Sequence, residues 1–237
     1  MKIENAVVLV TGANRGIGRT FARELLARGA SKVYAGARDP AAVTQSGVHA
    51  LRLDVNRPED VVAAAALASD VTLIINNAGI AQPGGFLAAD SEEVARRIFE
   101  TNFFSMLRVS KAFAPILKAN GGGALLNVLS IASWVNGGQL AAYSASKSAA
   151  WSLTNALRSE LAAQKTQVLA LHMAYVDTDL TRGLDVPKSS PEEIVRRALD
   201  GLESGADEVL ADELTLQVKL GMTATRPSYL PQATSAR

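Results

Sequence analysis

The sequence predicts an α/β fold built on a parallel sheet, and three observations predict it. Short apolar runs recur through the 237 residues: Ala6–Val10, Val33–Ala35, Leu51–Leu53, Val71–Ile75, Ala124–Leu129, Val168–Leu171 and Val209–Ala211. These runs are continuous rather than alternating in polarity, which suits strands buried on both faces. Longer helical patterns separate most of them and supply the crossovers that parallel strands require.

The first helix follows directly on the first run. Ile17, Phe21 and Leu25 are spaced to share one face, with Ala22 and Leu26 beside them. Glu24 and Arg28 are spaced as an (i, i+4) pair, and Gly29 is a stop signal. Asp90 with Glu93 has the spacing of a helix-start capping box. Ser190-Pro191-Glu192-Glu193 places a cap, a first-position proline and the reciprocal glutamate in order. Another long helical stretch opens at Tyr143 and reaches about Ala163. No repeat or linker divides the chain, so one domain is expected over residues 1–225, with a polar tail at 226–237. Residues 179–190 form a loop with Gly183 and Pro187, either a substrate loop or a plain surface loop.

Composition narrows the function classes. The 24 basic and 23 acidic side chains leave a net charge of +1, which gives no reason to expect nucleic acid or an anionic membrane as a partner. There is no cysteine, and the histidines are His49 and His172 alone, so no metal site is expected. No export signal precedes Thr11-Gly12 and no eighteen apolar residues run together, so the expected setting is the cytoplasm.

Between the first run and the first helix lies Thr11-Gly12-Ala13-Asn14-Arg15-Gly16-Ile17-Gly18. Glycines at a strand-to-helix turn let a pyrophosphate approach the backbone, and the helix start offers free N–H groups to it. About 20 residues past such a turn, an acidic side chain usually holds the ribose hydroxyls of a dinucleotide. Here that place is held by Ala37 and Arg38. Alanine cannot bind a hydroxyl, whereas arginine suits a 2′-phosphate. Arg15 adds a second cation, so NADP(H) is the preferred cofactor, with NAD(H) possible.

Tyr143 and Lys147 are four residues apart and share a helix face. An ammonium near a phenol favours the phenolate and fits the tyrosine for proton transfer. Ser130 follows the run Ala124–Leu129, and Asn76-Asn77-Ala78-Gly79 follows Val71–Ile75. Ligands of parallel sheets lie at such carboxyl ends of strands, and a hydroxyl there can bind a carbonyl oxygen.

With Asp54 and Asn102 added in order, these motifs resemble the short-chain dehydrogenases/reductases, from about Val7 to Ala211. The resemblance implies a single Rossmann-type, doubly wound parallel sheet of about seven strands with helices on both faces. It implies reduction of a ketone or aldehyde with NADPH, or the reverse, with Tyr143 as general acid/base and Ser130 orienting the carbonyl. Lys147 resembles the residue that binds the nicotinamide ribose and lowers the tyrosine pKa, and Asn102 the residue that holds a relay water. Cofactor contacts carry over to Gly12, Asn14, Arg15, Gly16, Ile17, Gly18, Arg38, Asp54, Val55, Asn77, Ala78, Gly79, Val176 and Thr178, besides Tyr143 and Lys147. A homodimer or homotetramer is implied, with Trp151 on the Tyr143 helix facing a partner.

One departure stands out. Where the family has Pro-Gly after the sixth strand, this chain has Met173-Ala174 within His172 to Thr178. An alanine resists the positive φ a glycine allows, so the loop is expected to differ. Trp134, Val135, Leu140, Met173, Tyr175, Leu180 and Leu184 are either walls of an apolar substrate site or core residues. His172 reads as a hydrogen-bonded structural residue rather than a catalyst. The competing function is a nucleotide-sensing regulator without turnover, which would need none of the proton-transfer groups.

Overall fold

The computed structural model describes residues 1–230. Its elements run β1 (Val7–Thr11), α1 (Gly16–Ala27), β2 (Lys32–Ala37), β3 (His49–Arg52), α2 (Pro58–Leu67), β4 (Leu73–Asn76), α3 (Ser91–Phe99), α4 (Ser105–Ala119), β5 (Gly123–Val128), α5 (Ala141–Leu161), β6 (Thr166–His172), α6 (Pro191–Ser204), β7 (Glu208–Leu210) and α7 (Glu213–Gly221). The strands form one parallel sheet in the order β3-β2-β1-β4-β5-β6-β7. The order reverses direction between β1 and β4, and ligands of such sheets bind outside the strand ends at that switch point.

Each of the seven apolar runs is a strand, and the packing shows why the runs are unbroken. Val8, Val10, Ile75, Leu126 and Leu171 face α1 and α6, meeting Phe21, Leu25, Ile194 and Leu199. Their neighbours Leu9, Ile74, Leu125 and Val168 face the other way, toward Val61, Phe113 and Leu157 on α2, α4 and α5. A strand covered on both sides has no solvent face on which polar residues could alternate. Fully burying one such side chain stabilises by about 1.5–3 kcal/mol.

Some local expectations are corrected. Asp90 makes no side-chain cap at α3. Ser190 does cap α6, accepting from Glu193 N–H, but the Glu193 carboxylate turns outward to Arg196 and Arg197 instead of completing the box. Glu24 pairs with Arg23, and Arg28 reaches α6 to pair with Asp200 and Glu203. That swap ties α1 to α6, a tertiary partner no single helix could announce. Gly29 does sit past the end of α1 at φ +83°.

Between α3 and α4 the rod is continuous but passes through one π turn at Glu100–Phe104. At the chain end, Ser228 N–H bonds Gly221 O, folding 226–228 back onto α7, and the remaining tail residues 231–237 lie outside the described residues. No helix among the described residues is long and apolar enough to cross a membrane.

Candidate active site

The carboxyl ends of β1, β2, β4, β5 and β6 open into one cleft of about 650 Å³. Its floor is the turn between β1 and α1. Gly12 and Gly16 adopt φ of +65° and +51°, which L side chains rarely do. A Cβ on Gly18 would lie 2.2 Å from Gly12 O and 2.5 Å from Asn77 Nδ2, so only glycine lets α1 begin this close to the strand end. Thr11 and Asn77 lock the turn to the segment after β4. Thr11 Oγ1 accepts from Asn77 N–H and Ala78 N–H, both at 3.0 Å, and Asn77 Nδ2 donates to Thr11 O at 2.9 Å. Sequence reasoning missed the part Thr11 plays, because a threonine at a strand end has no distinguishing pattern.

The ends of β2 and β3 form the next wall, with Ala37, Arg38, Asp39, Asp54 and Val55 on the cleft. Arg38 is exposed. Asp39 turns its carboxylate to cap the short turn Pro40–Ala42, accepting from Ala41 N–H at 3.0 Å. Arg15 points outward and pairs with Asp179 at 3.5 Å. Thr178 faces the glycine turn: a Cβ on Gly16 would meet its methyl at 3.5 Å.

The reactive wall comes from β5, α5 and the π turn. Ser130 follows β5, and its Oγ accepts from Ala132 N–H at 3.1 Å, leaving the O–H free to donate. Ser130 and Tyr143 both line the cleft here. Burial pushes the Tyr143 phenol above its ordinary value, and the neighbouring Ser130 hydroxyl opposes that rise. Lys147 Nζ sits 5.7 Å from the Tyr143 ring centre and donates to Val128 O at 2.8 Å. Burial brings its pKa down to about 8. In the chain by itself burial therefore sets the direction of the Tyr143 shift.

Asn102 lies inside the π turn and is buried. Its Oδ1 accepts from Ile80 N–H at 2.8 Å, and its Nδ2 donates to Ile80 O at 2.9 Å and Ser146 Oγ at 3.0 Å. A Cβ on Gly79 would meet Asn102 Oδ1 at 3.3 Å and Lys147 Nζ at 3.8 Å, so these three converge. The structure thus brings every expected site residue to this one cleft, with Asn102 reaching it through Gly79 and Ile80.

The substrate-wall expectation divides. Met173 and Leu180 line the cleft, whereas Trp134 is buried behind it against His172 and Trp151. Thr181, within the 179–190 loop, also lines it, as do Ile80, Arg97 and Thr101, which were not anticipated, since nothing in their spacing marks them. Met173-Ala174 is accommodated without a positive φ. Ala174 N–H donates to Asp212 Oδ2 at 2.7 Å, and Met173 O accepts from Ile131 N–H at 2.9 Å. Asp212 also caps α7 by accepting from Thr215 N–H at 2.8 Å.

Comparison with known proteins agrees with this arrangement. The family described as short chain dehydrogenase matches residues 6–188. A solved short chain dehydrogenase from Burkholderia cenocepacia, in complex with NADP, is 41% identical, with a TM-score of 0.92 over 95% of this chain and 96% of that one. Galactitol 2-dehydrogenase (L-tagatose-forming) of Cereibacter sphaeroides is 36% identical over 76% of this chain and 75% of its own length. The 3-oxoacyl-(acyl-carrier-protein) reductase of Escherichia coli is 29% identical over 88% of each chain. With the glycine turn, the switch-point cleft and the Ser130, Tyr143 and Lys147 wall in one sheet, this chain belongs to the short-chain dehydrogenase family of oxidoreductases.

Proposed function

We propose that the protein reduces an apolar ketone or aldehyde to the alcohol with NADPH, reversibly, and that Tyr143 is the proton donor. The observation that carries this reading is the meeting of Ser130, Tyr143 and Lys147 in the same cleft as the glycine turn. The turn fits a dinucleotide: its glycines leave backbone where side chains would stand, and Arg38 offers a guanidinium for a 2′-phosphate. Bound NADPH supplies the hydride.

The chain's own residues supply the rest. Tyr143, held protonated by burial, donates its hydroxyl proton to the carbonyl oxygen as charge develops there. Ser130 aims its O–H at the same oxygen, oriented by the bond from Ala132 N–H. Lys147, buried and cationic below about pH 8, favours the phenolate left behind. Asn102 has committed its side chain to Ile80 and Ser146, so a relay water would be held by the main chain of the π turn. Met173, Leu180 and Ile80 present apolar surface to the substrate, and residues 179–190 serve as the substrate loop. A homodimer or homotetramer would cover exposed apolar side chains such as Phe104 and Leu107 on the α3–α4 rod.

The test is NADPH oxidation followed at 340 nm with a panel of apolar ketones and aldehydes, wild type against Tyr143→Phe. Turnover by the wild type and its loss in the variant, with NADPH affinity unchanged, is the expected result. A Phe variant that turns over normally overturns the assignment.

A further inference from the structure

Behind the reactive wall lies a cluster that does not itself line the cleft but meets its wall at Ser130. His172 closes β6 and is fully buried, its ring stacked on the Trp134 indole with centroids 4.0 Å apart and planes 23° from parallel. Trp134 meets Trp151 of α5 edge to face at 6.2 Å. Lys219 of α7 lies over both indoles, 4.5 and 5.5 Å from their centres, and is anchored by Glu208 at 3.0 Å.

The imidazole points one donor out of this stack. His172 Nδ1 lies 3.0 Å from the Ser130 carbonyl oxygen. A carbonyl only accepts, so Nδ1 carries the proton and the neutral ring has its lone pair at Nε2. Burial, opposed by the Ser130 bond and reinforced by Lys219, Lys147 and Arg158, holds the pKa down to about 3 even with the Glu208 carboxylate 3.5 Å from Nε2, so the donor is present throughout the neutral range. The same carbonyl also accepts from Ser133 N–H at 3.0 Å.

The cluster is costly as packing. Among the described residues, the buried side-chain polar atoms without a hydrogen-bond partner are Ser133 Oγ, Trp134 Nε1 and His172 Nε2, all of them here, and the carboxylate nearest Nε2, that of Glu208 at 3.5 Å, makes no hydrogen bond to it. Leaving such a group unsatisfied costs about 1–3 kcal/mol, which an apolar side chain at position 172 would avoid. What the histidine adds over an apolar side chain is a second N–H on the Ser130 carbonyl, beside that of Ser133.

We infer that His172 is a positioning residue for Ser130: braced by Trp134 and Lys219, it fixes the Ser130 peptide so that the hydroxyl meets the substrate carbonyl. The inference rests on the reading of Ser130 as the group that orients that carbonyl. No residue of the cluster lines the cleft, and the side-chain hydrogen bond of His172 to the cleft wall runs to Ser130.

The experiment is a double-mutant cycle with kcat, substrate KM, NADPH Kd by fluorescence and Tm read for every variant. His172→Phe keeps the stacked ring and deletes the donor, while His172→Asn returns an amide N–H close to the place of Nδ1. His172→Gln sets its amide farther out, nearer the place of Nε2. Phe and Gln should lower kcat about tenfold, the worth of one hydrogen bond, with NADPH Kd unchanged. Asn should keep kcat within about threefold of wild type. Ser130→Ala combined with His172→Phe should be no slower than Ser130→Ala alone, because a residue acting through Ser130 has nothing left to position. Equal losses in Asn and Gln, additive losses in the double variant, or an unimpaired Phe variant would overturn the inference. If Phe does not fold, the Asn–Gln comparison decides. If Ser130→Ala itself retains full kcat, the reading of Ser130 fails first and takes this inference with it.

Discussion

At the scale of single residues, two buried titratable groups set opposite pH limits. Lys147 has its pKa brought down to about 8 by burial, so its ammonium is present below that pH and lost above it. The rate of ketone reduction should therefore fall as pH rises through about 8, and a pH–rate profile flat to higher pH would contradict the part given to Lys147. His172 is shifted from 6.5 to about 3, so on acidification the unfolded chain takes up the proton first. Its contribution to stability is complete above pH 6.5 and is lost as pH falls from there toward 3, at about 1.4 kcal/mol per unit. Urea midpoints across that window should fall less steeply in His172→Asn than in wild type. Tyr143→Phe should cost about 10²–10⁴-fold in turnover. These residues were legible in the sequence to different degrees. Tyr143, Lys147 and Ser130 were visible because chemistry demands their types at their spacing. The bond from His172 to Ser130 was not, since it spans two strands and involves a main-chain atom.

At the scale of elements, the glycine turn and α7 carry the tests. Gly18→Ala would place a methyl 2.2 Å from the Gly12 carbonyl oxygen, and backbone cannot yield as a flexible side chain can. The variant should lose NADPH binding by at least about tenfold, read by fluorescence titration, while keeping its far-UV circular dichroism. Asp212→Ala removes both the α7 cap and the clamp on Ala174. A cap of this kind is worth about 0.5–2 kcal/mol, and the measured loss should reach the top of that range because two N–H groups are released. A denaturation midpoint equal to wild type would show that the clamp is idle. All seven strands were readable because continuous apolar runs have few other uses in a chain of this size. Helix starts were less so: Asp90 has the right type and spacing but makes no cap, and the Met173-Ala174 loop is closed by Asp212, far away in sequence.

At the scale of the whole molecule, cofactor choice is the accessible property. On the proposed function, Ala37 and Arg38 on the cleft wall at the β2 end would favour the 2′-phosphate, whereas Arg15 is engaged with Asp179 and must exchange that partner to help. NADPH should raise Tm more than NADH at equal concentration, since ligand stabilisation follows occupancy, and Arg38→Ala should narrow the gap. A larger shift with NADH would sink the preference. The π turn at Glu100–Phe104 has a wider consequence. Such a turn amounts to one residue inserted into an α-helix, so both flanking helices keep their inward faces without it. Deleting a single residue there should leave the rod from Ser91 to Ala119 straight, the sheet intact and the circular dichroism unchanged, yet free Ile80 from Asn102 and slow turnover. On the proposed function, three nucleotides would then separate a slower from a faster reductase on the same sheet, a step that a lineage could take in either direction without losing the fold.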